Sequence, residues 1–244
     1  MKKIRLDKLL VERGAFADEA EALRAVLAHE VKVDAADATS PAMMVAPDAD
    51  VGVKGRGQDV SRGGLKLRGA LDAFGFDPAG LRCIDVGCST GGVTDCLLQA
   101  GAAHVAAVDV GYGDFAWKLR QDARVKLFER TNIRAADPAE LGAPFDLIVA
   151  DLSFIGLASL APVFARLSAP GGTFIGLVKP QFESQRGETD SRGVVRDEAV
   201  RARTIDEVRQ AMEAADFTCE GVVKSPITGK RSGNVEYLLK ATRE

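Results

Sequence analysis

Histidine is rare in this chain of 244 residues, which holds only two, His29 and His104. The segment Gly87–Gly91 has the Gly-x-Ser-x-Gly spacing of the hydrolase nucleophile elbow, with Ser89 as the apparent nucleophile. That chemistry requires an acid and then a histidine base later in the chain. Because no histidine follows His104, the sequence lacks a late base and the hydrolase interpretation fails.

Zinc-type cysteine pairs, long apolar runs and an excess of positive charge are also missing. The four cysteines lack the paired spacing of zinc sites, so we expect reduced cysteines and no metal requirement. The N-terminus has no apolar signal core, and the longest apolar tract, residues 145–167, is interrupted by charged residues and a proline. These absences predict a cytoplasmic protein without a membrane span. The net charge of −3 excludes a uniformly basic surface, so nucleic-acid contacts would require local basic patches.

Residues 82–92 are the segment around which the rest of the chain is organised. A short apolar strand from Cys83 to Val86 leads into a glycine-rich turn, and a helical apolar pattern follows. In open α/β sheets this arrangement presents backbone N–H groups and a helix N-terminus to a nucleotide-like ligand. Asp109 ends the next apolar strand and lies 22 positions after Gly87, near the offset of about 20 residues at which a carboxylate binds ribose hydroxyls. The segment therefore predicts a nucleotide-type cofactor site.

The residue types in the turn favour S-adenosylmethionine over a dinucleotide. A dinucleotide fingerprint requires glycine at its second position, where the backbone meets the pyrophosphate. Ser89 occupies that position and suits a ligand that has ribose hydroxyls and an amino-acid tail but no pyrophosphate. The residues that we predict to bind this cofactor lie in or near the turn and at the ends of the next strands: Asp85, Gly87, Ser89, Thr90, Gly91, Gly92, Asp109 and Asn132.

Apolar strands alternate with helical segments from residue 82 onward. Strands are predicted at 83–86, 105–110, 125–129, 145–151 and 173–179, and two last strands at 219–224 and 235–240. The alternation predicts an α/β fold, a Rossmann-like parallel sheet covered on both faces and closed by a hairpin, as is usual for S-adenosylmethionine-dependent methyltransferases. Ligands in such sheets lie at the carboxyl ends of the strands, where Asp151 and Lys179 stand. The polar loop 183–195 follows, and we expect it to order over a substrate.

Residues 1–60 are predicted to form a separate, small α+β module. Leucines within residues 5–13 share one face of a first helix, Gly14 is expected to stop that helix, and Asp18 is the expected N-cap of a second helix. The second helix is expected to bury Ala22, Leu23, Val26 and Leu27. With residues 5–14 and the strand at 31–33, which would pair with 51–53, the module resembles the alpha-L RNA-binding fold of an S-four-type ribosomal protein.

Basic residues concentrate in two places, although residues 1–60 carry nine Lys and Arg against eleven Asp and Glu. One place is the first helix, and the other is the segment 54–68, which has five basic residues and one acidic residue. Such segments can contact phosphates through local charge. The candidate RNA-binding residues are Lys3, Arg5, Lys8, Arg13, Arg56, Arg62 and Arg68.

Five motifs within residues 61–244 resemble those of FtsJ-type RNA 2′-O-methyltransferases. They are Ser61-Arg-Gly-Gly-Leu-Lys66, Asp85-Val-Gly-Cys-Ser-Thr-Gly-Gly92, Asp151-Leu-Ser-Phe154, Leu177-Val-Lys-Pro-Gln-Phe182 and Gly233-Asn-Val-Glu236. The motif after the fourth strand lacks the prolines of exocyclic-amine methyltransferases, and no cysteine stands where carbon-five pyrimidine enzymes need one. With the N-terminal module added, the chain resembles the hemolysin-A (TlyA) family of rRNA ribose methyltransferases.

The resemblance implies methyl transfer from S-adenosylmethionine to a ribose 2′-hydroxyl, on cytidine, with rRNA or a ribosomal subunit as the partner. It also implies a catalytic tetrad formed by Lys66, Asp151, Lys179 and Glu236. Lys179 would either take the proton of the hydroxyl or, as a cation, stabilise the developing alkoxide. Two other classes of function stay open. One is a non-catalytic RNA-binding or assembly protein that retains the cofactor fold, and the other is a membrane-acting hemolysin.

Overall fold

The chain forms two compact units, Met1–Gln58 and Asp59–Glu244. The computed structural model describes residues 3–13, 15–16, 18–34, 36–47, 49–53, 61–229 and 233–244. The predicted domain boundary after residue 60 lies two residues beyond the division between the units. Gly14, the predicted helix stop, and Arg56, a predicted RNA contact, lie outside the described residues.

The N-terminal unit combines two helices with short antiparallel strands. Its elements are β1 (Ile4–Arg5), α1 (Leu6–Glu12), α2 (Glu19–Leu27), β2 (Val31–Val33), β3 (Ala36–Asp37), β4 (Met44–Val45) and β5 (Val51–Val53). Strand β2 pairs with β5, as predicted, and with β3, while β1 pairs with β4. The Asp18 side chain accepts a hydrogen bond from the backbone N–H of Glu21, at 2.7 Å, so the predicted N-cap is confirmed.

The buried face of α2 differs from the predicted one. Ala22 and Val26 are buried as expected, but Leu23 is 41% exposed and Leu27 is 66% exposed. Ala25 takes their place in the core. The expected stripe of four residues was too wide, because the two leucines lie on the flank of the helix while small residues face the core.

The C-terminal unit is built on one seven-stranded sheet. Its strands are β6 (Arg82–Val86), β7 (His104–Val108), β8 (Val125–Phe128), β9 (Phe145–Ala150), β10 (Ser168–Val178), β11 (Phe217–Lys224) and β12 (Tyr237–Arg243). Their order in the sheet is β11-β12-β10-β9-β6-β7-β8. In this order, the five strands β10, β9, β6, β7 and β8 run parallel to one another. Strand β12 pairs antiparallel with both β10 and β11. The predicted parallel sheet with a closing hairpin is confirmed.

Helices cover both faces of this sheet. They are α3 (Arg62–Phe74), α4 (Gly92–Gln99), α5 (Trp117–Arg120), α6 (Pro138–Leu141), α7 (Ala161–Leu167), α8 (Pro180–Glu183) and α9 (Glu198–Glu213), with a 3₁₀ turn at Ala158–Leu160. Neighbouring strand residues enter opposite cores: Ile84 and Ile148 pack on one face, and Cys83 and Leu147 pack on the other. Burial on both faces explains why the strands have continuous apolar sequences.

The start of β12 and the buried face of α3 differ from the sequence-based expectation. Strand β12 begins at Tyr237 rather than at residue 235, which leaves Glu236 directly before the strand. Leu65, expected in the apolar face of α3, is 43% exposed, and Leu67 is buried instead. Among the helices of the described ranges, none combines the length with the apolar character that a membrane span requires.

Candidate active site

The site lies where the connections of the sheet change direction. Strand β6 lies between β7, which follows it in the chain, and β9. Open α/β sheets bind ligands at the carboxyl ends of the strands beside such a point. A cavity of about 630 Å³ opens there, which is within the usual size range of ligand pockets. Four predicted cofactor residues line it: Gly87, Ser89, Asp109 and Asn132.

Gly87 brings the glycine-rich turn into direct contact with the end of β9. Its φ is +91°, and a Cβ at this position would lie 2.6 Å from the backbone oxygen of Asp151. The backbone N–H of Asp151 in turn donates to the carbonyl oxygen of Val86, at 3.1 Å. Because only glycine combines this φ with this close approach, the cofactor turn and the Asp151 strand end are locked together.

Gly92 makes room for the start of helix α3. A side chain at position 92 would collide with the hydroxyl and the backbone oxygen of Ser61. Ser61 is the N-cap of α3 and accepts a hydrogen bond from the backbone N–H of Gly63. Gly92 therefore acts through packing, since it lets the helix that carries Lys66 approach the turn.

The Asp109 carboxylate is oriented by two backbone N–H groups, one of which belongs to the glycine-rich turn. Its Oδ2 accepts a hydrogen bond from the Ser89 backbone N–H at 2.8 Å, and its Oδ1 accepts one from Gly111 at 2.7 Å. Each carboxylate oxygen can accept a further bond, and the side chain lines the cavity. The residue thus braces the turn and faces the cavity with free acceptor capacity, which fits the ribose of S-adenosylmethionine, and its cofactor contact stays a prediction.

Replacing Asp109 with alanine is expected to weaken S-adenosylmethionine binding by about 10–100-fold, because charge-assisted hydrogen bonds contribute about 1.5–3 kcal/mol. Titration calorimetry with the cofactor measures this change. The matched variant Asp114→Ala removes a carboxylate from the same connection after β7, outside the 630 Å³ cavity, and should retain wild-type affinity. Equal losses in both variants would contradict the role given to Asp109.

Asp85, Thr90 and Gly91 were predicted cofactor contacts but do not line this cavity. Asp85 is fully buried, and its Oδ2 accepts a hydrogen bond from the Thr94 hydroxyl at 2.6 Å. Its Oδ1 has no hydrogen-bond partner among the described residues. Burial raises the pKa of Asp85 to about 7, although the Thr94 hydroxyl opposes the shift. Asp85 therefore supports the turn from beneath, and its contact with the cofactor stays a prediction.

We expect the stability of the protein to depend on pH through Asp85. The unfolded carboxyl loses its proton near its ordinary pKa of 3.8, whereas the folded one keeps it until about 7. Wild-type protein should thus lose up to about 4 kcal/mol relative to Asp85→Asn as the pH rises from 4 to 7. Urea unfolding of both proteins across this range measures the difference, and a constant difference would contradict the prediction.

The four predicted catalytic side chains meet beside the cavity, which Asp151 helps to line. Lys179 Nζ lies 2.7 Å from Asp151 Oδ1, and Lys66 Nζ lies 3.6 Å from Asp151 Oδ2. Lys66 Nζ also lies 2.8 Å from Glu236 Oε2. The side chains are 3% to 18% exposed. Two ammonium groups and two carboxylates have a formal net charge of zero, which is how buried charges are tolerated.

The sheet explains why residues so far apart in sequence meet. Asp151 directly follows β9 and Lys179 directly follows the neighbouring parallel strand β10. Because β12 is antiparallel to β10, its first residue, Tyr237, pairs with Val178. Glu236 thus enters the same edge from the opposite chain direction. The structure thus brings the four side chains together, and their catalytic roles stay predictions.

An aromatic pair flanks Lys179, and the sequence did not single it out as functional. Phe154 is 89% exposed and has a φ of +68°, a strained conformation for a bulky residue. Its ring lies 5.6 Å from that of Phe182, whose centroid is 5.9 Å from Lys179 Nζ. The Ser153 hydroxyl accepts a hydrogen bond from Lys179 at 3.3 Å. A cation beside one exposed ring, Phe154, and one half-buried ring, Phe182, suits a nucleobase with its sugar.

Glu183 holds the segment after β9 that carries Ser153 and Phe154. Its Oε1 accepts a hydrogen bond from the Leu157 backbone N–H at 2.5 Å. A side chain at Gly156 would collide with the same carboxylate. Burial raises the pKa of Glu183, an effect that the hydrogen bond from Leu157 partly offsets. The segment after β9 is therefore held against α8, so Asp151 and Lys179 are braced by a second contact.

Two of the predicted RNA-binding arginines in the N-terminal unit have structural partners. Arg5 forms an ion pair with the buried carboxylate of Asp7, at 2.5 Å, and this pairing lowers the pKa of Asp7. Arg13 donates to the backbone oxygens of Ala49 and Pro47, at 2.8 and 2.7 Å. Lys3 and Lys8 are exposed and remain predicted phosphate contacts.

Two further predicted RNA contacts lie on α3 in the C-terminal unit. Arg62 donates to the backbone oxygen of Thr228 at 2.7 Å, and Arg68 donates to the side-chain oxygen of Gln99 at 3.0 Å. Both contacts tie α3 to neighbouring segments. RNA binding by these arginines stays a prediction, and it would have to compete with these bonds.

Comparison with known proteins agrees with the geometry. Residues 60–243 match the family described as FtsJ-like methyltransferase. The chain is 43% identical over 240 residues to the Mycobacterium tuberculosis protein named 16S/23S rRNA (cytidine-2′-O)-methyltransferase TlyA, covering 98% of this chain and 89% of the relative.

Solved structures show the same fold. A Streptococcus thermophilus protein, provisionally named a hemolysin, superimposes with a TM-score of 0.76 at 36% identity, over 100% of this chain and 89% of that one. An S-adenosylmethionine-dependent methyltransferase from Mesorhizobium loti gives a TM-score of 0.52 at 19% identity, over 72% and 96%, and shares the fold. The chain belongs to the FtsJ-like methyltransferases and, within them, to the TlyA (hemolysin A) family.

Proposed function

We propose that this protein transfers a methyl group from S-adenosylmethionine to the ribose 2′-hydroxyl of a cytidine in rRNA. The observation that carries the proposal is the Lys66–Asp151–Lys179–Glu236 cluster beside the cofactor-sized cavity. The cytidine and the rRNA come from the name of the Mycobacterium tuberculosis relative. An rRNA substrate would place the activity with ribosomes in the cytoplasm.

The residues that line the cavity fit the cofactor. Asp109 and Asn132 would hold the nucleoside part, and the Gly87–Ser89 turn would hold the amino-acid tail. S-adenosylmethionine, when bound, supplies an electrophilic methyl group on a sulfonium sulfur. The protein must therefore place a ribose oxygen in line with that methyl group and accept the hydroxyl proton. No metal is needed for these tasks.

Lys179 would act on the ribose hydroxyl. It is held between Asp151 Oδ1, at 2.7 Å, and the Ser153 hydroxyl, at 3.3 Å, so the position of Nζ is defined from two sides. Nζ would either take the hydroxyl proton or, as a cation, stabilise the alkoxide as that proton passes to water. Lys66 and Glu236 would hold Asp151 in place. Phe154 would stack against the target base, because nucleobases pack on exposed aromatic rings, and the half-buried Phe182 would support it.

We also propose that the N-terminal unit contributes RNA contacts through Lys3 and Lys8. Its short strands and paired helices support the resemblance to the alpha-L fold. The unit holds several acidic residues, so its contribution should be modest and should depend on salt.

Mass spectrometry of nucleosides tests the proposed reaction. rRNA from cells that lack this protein is incubated with the pure protein and S-adenosylmethionine, and 2′-O-methylcytidine is quantified. We expect this nucleoside to appear with wild-type protein and not with Lys179→Ala. Methylation of a base, or no methylation of free rRNA or of ribosomal subunits, would refute the proposal.

A further inference from the structure

The segment between α8 and α9, residues 184–196, is held in a defined shape. The Asp190 side chain accepts hydrogen bonds from the backbone N–H groups of Arg192 and Val194, at 2.8 and 3.0 Å. Glu188 forms an ion pair with Arg203 on α9, at 2.5 Å. This segment follows Lys179 after only one short helix, so its position bears on the placement of that lysine.

Asn234, three residues before β12, binds this segment. Its side chain is buried, with 1% of the residue exposed. Its Oδ1 accepts a hydrogen bond from the Val195 backbone N–H at 3.0 Å, and its Nδ2 donates to the Gly193 backbone oxygen at 2.9 Å. The contact needs a donor and an acceptor on separate atoms of one short side chain, and a primary amide provides both at any pH. A carboxylate of the same shape would lose the donor.

Asn234 lies two residues before Glu236, and the local backbone is well fixed. The backbone oxygen of Asn234 accepts from the Gly229 N–H at 2.9 Å, and the Gly233 N–H donates to the Gly229 oxygen at 3.0 Å. Glu236 is 3% exposed and pairs with Lys66. One short segment thus carries two buried side chains, of which one binds the loop and the other binds the tetrad.

Lys179 and Glu236 are thus connected in two ways. The first connection follows the chain from Lys179 through the loop, whose backbone is hydrogen-bonded to the Asn234 amide, two residues before Glu236. The second consists of ion pairs that lead from Glu236 to Lys66, to Asp151 and back to Lys179. We propose that Asn234 is a positioning residue for methyl transfer, because it sets Glu236, and through it Lys66, relative to Lys179. This inference rests on the proposed function.

Kinetics of Asn234→Ala test the inference. Displacing reactive groups by about 1 Å can cost a factor of about 100, so we expect kcat for rRNA to fall by about 10–100-fold. The cofactor Kd should stay within about 2-fold, because Asn234 does not line the cofactor cavity. Ser168→Ala is the matched control, since it removes a buried hydroxyl bonded to Ala169 at the opposite end of β10. It should keep the wild-type kcat.

The pH dependence of Asn234→Asp separates positioning from a general loss of stability. A protonated carboxyl can donate to the Gly193 oxygen, whereas a carboxylate repels it. The kcat of this variant relative to wild type should therefore rise as the pH falls from 8 to 5.5, while the ratio for Asn234→Ala stays flat. A purely structural role would leave turnover per folded molecule unchanged at every pH.

Trypsin cleavage supplies a readout that does not depend on activity. Arg192 and Arg196 lie in the held segment, and both Asn234 variants should be cut there faster than wild type and Ser168→Ala. Variants with wild-type kcat, or with a loss confined to cofactor Kd, would overturn the inference. Failure of the wild-type protein to methylate rRNA would instead overturn the proposed function, and the cleavage rates would then decide whether Asn234 holds the loop.

Discussion

Lys179→Ala is expected to lower kcat for rRNA methylation by about 100–10,000-fold, the range in which a positioned proton-transfer group contributes. The cofactor Kd should change little, because Lys179 lies outside the cavity lining. Stability should also change little, because Asp151 keeps Lys66 as a partner at 3.6 Å. Single-turnover methylation with saturating cofactor measures the loss. The matched control is Lys224→Ala, which removes an exposed lysine from β11.

Lys179→Arg distinguishes the two roles that the geometry allows. Arginine keeps the positive charge but does not give up its proton in proteins. If Lys179 stabilises an alkoxide as a cation, the arginine variant should retain a measurable part of the activity that alanine loses. If Lys179 removes the proton, both variants should be equally inactive. A loss of cofactor binding in Lys179→Ala would contradict its catalytic role.

Asp151→Ala is expected to abolish activity and to lower stability. Asp151 is the carboxylate that lies between the two lysines, and it is the ion-pair partner of Lys179. Removing one member of a buried ion pair costs about 3–5 kcal/mol, and we expect the lower end, because the Asp151 side chain is 18% exposed. For a unit of this size, about 3 kcal/mol corresponds to a fall in Tm of about 6–12 °C.

A double variant separates the two effects. In Asp151→Ala with Lys179→Met, no unpaired ammonium remains beside the lost carboxylate, so most of the lost Tm should return. Activity should not return, because the reactive group is gone. Scanning calorimetry and methylation assays on the single and double variants provide the comparison. Equal Tm values for Asp151→Ala and the double variant would show that the unpaired buried charge of Lys179 does not cause the loss of stability.

Much of the C-terminal fold was predictable because its strands are buried on both faces. Continuous apolar runs located the strands, and their alternation with helices predicted the parallel sheet. The start of β10 was less predictable, since the structure begins this strand at Ser168 rather than at Thr173. The intervening residues include proline and two glycines, and the pairing with β9 shifts register between Ser168 and Thr173. Such an irregularity breaks the simple pattern of a strand.

The active-site residues that belong to a sequence motif were predictable. Features that depend on contacts between residues far apart in the chain were less so. The tetrad residues were recognisable from five motifs, whereas the burial of Asp85 depends on packing beneath the turn. The left-handed backbone of Phe154 has no signal in residue type, because aromatic residues rarely adopt it. The hydrogen bond from the Val195 backbone N–H to the Asn234 side chain joins residues 39 positions apart. Neither partner has a local pattern that reveals the other.

The placement of β12 has a consequence for how the protein folds. This strand follows β11 in the chain but lies between β10 and β11 in the sheet. Until it inserts, one side of β10 has unpaired backbone groups, and an open strand edge invites pairing with other molecules. Insertion also delivers Glu236 to Lys66. During refolding, enzymatic activity should therefore return no earlier than this last strand pairing, and aggregation should compete with that same step.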